Sequence, residues 1–143
     1  MLRIMATLLL VLCTSFVVCS QSKSSAWLNG TWEGTGYQID DNSTWSMRLT
    51  VRGKGARSAR AQSTWGASYL IEYPSLKCGG RWRPISISSN TATFREILTF
   101  GQTQCADNGG VVIERLRSRQ IAFRYSNQGA AKVSASAILD RKK

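Results

Sequence analysis

The feature that most constrains the fold of this chain is an alternation of apolar and polar residues with a period of two. It is clear in 46–52 and 68–73, and again in 91–100 and 131–139. Successive side chains of a β-strand point to opposite faces, so this pattern is typical of strands with one buried face. Clusters of Gly, Pro, Asn and Ser interrupt the pattern every eight to twelve residues. We therefore predict an all-β fold.

The same patterns predict about eight strands, near residues 30–38, 45–52, 67–73, 81–88, 91–100, 110–116, 120–126 and 131–139. Short turns at 89–90, 117–119 and 127–129 favour hairpins between consecutive strands, whereas 53–65 and 74–80 are predicted to be longer connections. The predicted fold class is an antiparallel up-and-down meander that closes into a barrel, because closure removes both exposed edges.

One predicted strand carries an acidic residue among apolar ones. Ala92, Phe94, Glu96, Leu98 and Phe100 alternate along it and share one face. This leaves two interpretations open: either Glu96 points into the barrel, or this face is solvated.

The first twenty residues predict export. Arg3 precedes an apolar run at 4–18, and small or polar residues follow, which is the layout of a secretory signal peptide. Fifteen helical residues rise about 22 Å, less than the roughly 30 Å of a hydrocarbon layer, so we expect no stable transmembrane anchor. Lipid attachment at Cys19 is the less favoured alternative, because Val18 is bulky. We expect a signal peptide at 1–20 and a single barrel domain at 21–143, secreted or periplasmic.

The cysteine and histidine content limits the reactions that this chain could catalyse. Cys78 and Cys105 remain after the leader, and in an oxidising compartment an isolated pair most simply forms one disulfide, here between two predicted connections. The chain has no histidine, so the ordinary general base for a serine or cysteine nucleophile is missing. We predict no enzymatic activity, no catalytic residues, no cofactor and no metal site.

The charge balance favours anionic partners. The net charge is +11, and removal of the leader with its single arginine leaves +10. Such a charge attracts lipid headgroups, acidic polysaccharide or nucleic acid, although it also serves solubility alone. Several tryptophans lie close to arginines in the sequence, an interleaving that polyanion-binding surfaces use, and three further arginines alternate near the sixth strand. The candidate ligand-binding or anion-binding residues are Trp32, Trp45, Trp65, Trp82, Arg48, Arg81, Arg83, Arg115, Arg117 and Arg119.

The segment 29–34 reads Asn-Gly-Thr-Trp-Glu-Gly. Through Gly30 and Trp32 it resembles the Gly-x-Trp opening of the first strand in calycin barrels, the lipocalin and avidin-like group. In that family the Trp closes one end of the barrel, often under a basic residue from the last strand. Arg141 is the nearby candidate here, although it falls after the predicted strand. The resemblance implies a small apolar or amphipathic ligand inside the barrel.

These observations predict an exported, non-enzymatic binding protein. It would hold a small apolar ligand in the barrel, or contact an anionic polymer or membrane surface through its basic face. The alternative is a secreted inhibitor or exclusion factor that acts on a partner protein through its loops. Since a net charge of +10 would repel basic targets, an acidic target fits that alternative better.

Overall fold

The computed structural model describes residues 26–53 and 67–143, and within these ranges eight strands close into one barrel. A short 3₁₀ helix at Ala26–Leu28 precedes the first strand, and a second at Pro74–Leu76 follows the third. The strands are β1 (Gly30–Gln38), β2 (Thr44–Arg52), β3 (Ser68–Tyr73), β4 (Cys78–Ile87), β5 (Thr91–Phe100), β6 (Gly110–Arg117), β7 (Gln120–Ser126) and β8 (Ala135–Arg141).

Each strand pairs antiparallel with the next in the sequence, and β8 pairs with β1. The closing ladder runs from Trp32 opposite Arg141 to Gln38 opposite Ala135. The predicted all-β fold class, an antiparallel meander closed into a barrel, is therefore confirmed. The architecture is compatible with a calycin-like barrel.

The last strand differs from its prediction, because β8 spans Ala135–Arg141 rather than 131–139. β7 ends at Ser126, and its last pair in the ladder with β8 joins Tyr125 to Ala135, so residues 131–134 lie outside this ladder, although the Ser134 N–H still donates to the Tyr125 carbonyl oxygen at 2.8 Å. At its other end β8 continues along β1 as far as Arg141. The available partners, rather than the apolar alternation, set the limits of this strand.

The fourth strand also begins earlier than predicted, at Cys78 rather than 81. Gly79 and Gly80 resemble turn residues in the sequence, but in the structure they lie in β4 at a register shift in the pairing with β5. A Cβ atom on Gly80 would lie 2.1 Å from the carbonyl oxygen of Ile97. These glycines therefore do not form a turn but allow the neighbouring strands to approach closely.

The inward face of the barrel follows the predicted alternation along most strands. In β2 the buried residues are Met47, Leu49 and Val51 together with Trp45, while the residues between them are exposed or half-buried. In β5 the inward face includes Glu96, which is 2% exposed, so the interpretation of an inward-pointing charge is confirmed. The buried hydrophobic residues form one contiguous core.

One end of the barrel is closed by Trp32 and Arg141. The Arg141 guanidinium lies 4.9 Å from the centroid of the Trp32 ring, and it donates a hydrogen bond to the carbonyl oxygen of Asn29. The Trp32 indole N–H donates to the carbonyl oxygen of Leu28 at 2.7 Å. Arg141 is thus the last residue of β8, not a residue beyond it, and the arrangement implied by the calycin resemblance is present. We call this the closed end.

The predicted disulfide joins Cys78 to Cys105, with the two Cα atoms 6.4 Å apart. Cys78 is the first residue of β4, so the bridge links the start of a strand to the connection between β5 and β6, not two connections as expected. A disulfide is compatible with an extracellular or periplasmic protein.

Several predictions concern residues outside the described ranges. The signal peptide at 1–20, lipid attachment at Cys19, Trp65 and nearly all of the connection 53–65 fall there. Within the described ranges, no helix has both the length and the apolar character that crossing a membrane requires.

Removal of the bridge by the double substitution Cys78→Ala, Cys105→Ala should lower the free energy of unfolding by about 3–4 kcal/mol, because it frees a loop that spans 27 residues in the unfolded chain. Urea unfolding of the mature protein measures this loss. Reductant should destabilise the wild type by a similar amount and leave the double variant unaffected. Two free thiols in natively extracted protein would contradict the pairing.

Candidate functional site

The end of the barrel opposite Trp32 contains a cavity of about 400 Å³. Its rim is formed by the connections β1–β2, β3–β4 and β5–β6, with Asp40, Leu76 and Gln104 among the lining residues. Its walls are inward-facing residues of the strands, among them Trp45, Phe123 and Tyr125. We call this the open end. The volume suits a small organic molecule.

Small residues on β1 and β8 explain why this end is not filled. Gly36 lies opposite Trp45 in the β1–β2 ladder, and a Cβ atom there would lie 2.3 Å from the Trp45 ring. On the other side of β1, Gly36 lies opposite Ala137, and Ala135 follows toward the rim. The missing side-chain volume lets the Trp45 indole lie across β1 and leaves space beside it.

Aromatic rings form the walls and floor of the cavity. Trp45 meets Tyr73 and Phe123 edge to face, with ring centroids 5.1 Å and 6.1 Å away. Beneath them, Trp82 stacks on Phe123 with centroids 5.8 Å apart. Tyr125 completes the lining from β7. Such contacts define ring positions by packing, so the cavity has stiff apolar walls.

Glu96 is the polar group at the base of this cavity. Its Oε2 accepts a hydrogen bond from the Tyr73 hydroxyl at 2.5 Å and another from the Trp82 indole N–H at 2.8 Å. Both bonds end on the same oxygen, and Glu96 lines the cavity. The second carboxyl oxygen takes part in neither of these bonds.

Burial governs the ionisation of this group. Desolvation raises the pKa of Glu96, and the charge of Asp107 raises it further, while the hydrogen bonds from Tyr73 and Trp82 oppose the shift. Burial also raises the pKa of Tyr73 well above its usual value and that of Tyr125 to about 12, with the Glu96 charge contributing in both cases. Both tyrosines are therefore hydrogen-bond donors at neutral pH.

The charged side chains that line the cavity are all acidic among the described residues. Asp40 and Asp41 lie at the rim and Glu96 lies at the base, and neither lysine nor arginine contributes to the lining. Lys132 approaches Asp40 from outside, with Nζ to Oδ1 at 3.9 Å, and both side chains are exposed. A protein with a strongly positive net charge thus has a cavity of the opposite sign.

The disulfide supports one wall of the cavity. Cys105 and Ala106 belong to the connection 101–109 and line the cavity, while Cys78 is buried in the barrel wall. The Leu98 backbone N–H donates to Asp107 at 2.9 Å, and Tyr125 donates to the carbonyl oxygen of Ala106 at 3.3 Å. A covalent bond and two hydrogen bonds therefore hold this connection against the open end.

The predicted tryptophans do not form an exposed surface. Trp32 is buried at the closed end, Trp82 is buried in the centre, and Trp45 is 8% exposed in the cavity wall. The prediction that they interleave with arginines on one outer surface is wrong, because alternation along each strand sends the tryptophans inward and the neighbouring arginines outward. Trp65 lies outside the described residues.

The predicted arginines lie on the outside but do not form a single site. Arg48 forms ion pairs with Glu33 at 2.7 Å and Glu72 at 3.5 Å on the outer wall. Arg81 and Arg83 are exposed on β4.

The basic stripe predicted on one strand face at Arg115, Arg117 and Arg119 is wrong. A register shift falls between Arg115 and Arg117, β6 ends at Arg117, and Arg119 lies in the following turn, where it donates to the Arg141 carbonyl oxygen at 2.8 Å. The three side chains are exposed near the closed end, but they do not alternate along one strand.

Of the candidate ligand-binding residues predicted from the sequence, Trp45 lines the cavity. Glu96 carried a usable signal, since it is an acidic residue in the apolar register of β5. Tyr73 and Tyr125 hold inward positions near the open ends of β3 and β7, but nothing local to them indicates that they converge. Their proximity comes from barrel closure.

Comparisons with known proteins add no identification. No family model matches the chain, no curated protein matches its sequence, and no solved structure matches it.

The buried carboxyl group predicts a specific pH dependence of stability. Because folding raises the pKa of Glu96, its contribution to stability is complete below the unfolded pKa of about 4.3 and is lost as pH rises through the folded pKa. Glu96→Gln does not titrate at this position. Its free energy of unfolding, relative to that of the wild type, should therefore increase as pH rises from the unfolded pKa through the folded pKa, and the difference between the two proteins should stay constant above the folded pKa. Urea unfolding in a series from about pH 4 to about pH 9 measures it. A difference that is constant or shrinks with rising pH would contradict the burial effect.

Proposed function

We propose that this protein is a non-enzymatic binding protein that holds a small, largely apolar molecule in the cavity at the open end of the barrel. The observation that carries the proposal is the cavity of about 400 Å³, lined by Trp45, Tyr73, Phe123 and Tyr125. Apolar concave sites with a few polar groups are the usual form of small-molecule sites. An interior that needed only to be stable would be filled, since protein cores pack at high density.

The calycin resemblance supports the same proposal. Trp32 and Arg141 close one end of the barrel, and the opposite end carries the cavity. A barrel of eight strands has an interior just wide enough for packed side chains or for one small ligand. Here the large side chains occupy the closed end and the centre, so the ligand would enter between the connections of the open end.

A second candidate function is contact with an anionic polymer or membrane surface through the outer wall. Arg83 lies directly opposite Arg95 in the β4–β5 ladder, and Arg81 is two residues away on the same face of β4. Like charges opposite each other destabilise a sheet, so such a pair favours a surface that gains from an anionic partner. An inhibitor that acts through its loops remains a prediction.

Ala135→Phe should abolish binding of the neutral fluorescent probe N-phenylnaphthylamine, because Ala135 is buried in the cavity wall and the larger side chain occupies the site. Ser136→Phe is the matched control, since the neighbouring residue of β8 has the opposite orientation. Fluorescence titration measures both, with wild-type binding nearly unchanged up to about 0.5 M salt. Equal binding by both variants, or none by the wild type, would contradict the cavity site.

The outer wall has its own test. The double substitution Arg83→Ser, Arg95→Ser should weaken binding to a heparin oligosaccharide and reduce the slope of log K against log salt by about one to two. Arg115→Ser, Arg117→Ser changes the net charge equally near the closed end and serves as the control. Equal weakening by both pairs would indicate an effect of net charge alone and would contradict a site at this face.

A further inference from the structure

The cavity and the rest of the protein differ in the sign of their charge. The chain carries a net charge of +11, yet the charged residues that line the cavity are Asp40, Asp41 and Glu96. Basic side chains outnumber acidic ones in this chain, yet none of the described lysines or arginines lines the cavity. The acidic lining therefore differs from what the composition alone would predict. The cavity therefore disfavours anions, although the protein as a whole attracts them.

Glu96 has the geometry of a counter-ion. It is 2% exposed, it lines the cavity, and its Oε2 is already hydrogen-bonded by Tyr73 and Trp82. These two neutral donors hold the carboxyl group in one orientation, while burial leaves it without a cationic partner among the described residues. A buried carboxylate is costly unless it is paired, and because Glu96 lines the cavity, a cationic ligand bound there would supply the missing partner.

The aromatic walls suit a cation as well as an apolar body. Trp45, Tyr73 and Phe123 surround the space beside Glu96, with Trp45 in edge-to-face contact with the other two rings. The faces of aromatic rings carry negative potential and attract cations, most strongly when water is excluded. A carboxylate and aromatic rings together favour an ammonium group over an alcohol or a carboxylate of the same shape.

We propose that the ligand of this cavity is a small cationic amine with an apolar body, whose ammonium group donates to the second oxygen of Glu96 while its apolar part packs against Trp45 and Phe123. This inference rests on the proposed binding function and specifies the ligand class. Asp40 and Asp41 at the rim would raise the local concentration of cations at the entrance. A cationic ligand differs from the anionic partners that the net charge predicts.

Three probes of similar size separate the possibilities: phenethylamine, which is cationic, phenylethanol, which is neutral, and phenylpropanoate, which is anionic. Calorimetric titration of the mature protein at about pH 8 should give binding of the amine at least about tenfold tighter than the alcohol, because a hydrogen bond between charged groups exceeds a neutral one. The carboxylate should bind most weakly, because it would meet Glu96.

Glu96→Gln tests the counter-ion directly. The amide keeps an oxygen that accepts from Tyr73 and Trp82 but has no negative charge, so the preference for amine over alcohol should fall to about twofold or less. Binding of the alcohol should persist, which shows that the variant is folded and that the cavity is intact. Glu72→Gln removes a carboxylate from the exposed outer wall and should leave the preference unchanged.

If none of the three probes binds, and Ala135→Phe binds N-phenylnaphthylamine no differently from the wild type, the proposed binding function itself is wrong. If the alcohol binds as tightly as the amine, or the carboxylate binds best, the cavity binds a ligand but the cationic class is wrong. If Glu96→Gln keeps the amine preference, Glu96 is not the counter-ion.

Discussion

The pairing of β8 with β1 is the constraint on which the rest of this structure depends. It closes the sheet, satisfies the backbone groups of both outer strands, and gives every strand one inner and one outer face. Closure also brings Arg141 from the end of the chain over Trp32 near its beginning. Because the barrel has a single interior, every inward side chain competes for the same limited volume.

The distribution of side-chain size along that interior decides where space remains. Leu28, Trp32 and Leu139 fill the closed end, while Gly36 and Ala135 stand at the open end. Because Gly36 has no side chain, Trp45 occupies part of the space next to it, and the remaining space is the cavity. The disulfide and the hydrogen bonds of the connection 101–109 keep one rim in place, so the cavity is a built part of the fold.

Glu96 shows a conflict between stability and the proposed function. An apolar residue at this position would continue the inward face of β5 and remove the cost of a buried carboxyl group. The hydrogen bonds from Tyr73 and Trp82 reduce that cost but occupy only one of its oxygens. Proteins most often place residues that conflict with local packing, such as a buried acidic residue, at functional sites. The proposed ligand class depends on Glu96 for this reason.

The sequence alone determined the strand number, the meander and the disulfide pair, because alternation and turn residues are local signals. It placed Glu96 in the alternating register of β5 but left open whether that face is buried. It misplaced the limits of β4 and β8, since these depend on where partner strands begin and end. It also predicted an exposed surface from tryptophans that are buried. Only the tertiary structure decided that Trp45, Tyr73, Glu96 and Tyr125 share one cavity. These residues come from four strands far apart in the chain, and which inward positions meet at one end depends on how the closed barrel aligns those strands, which no local pattern encodes.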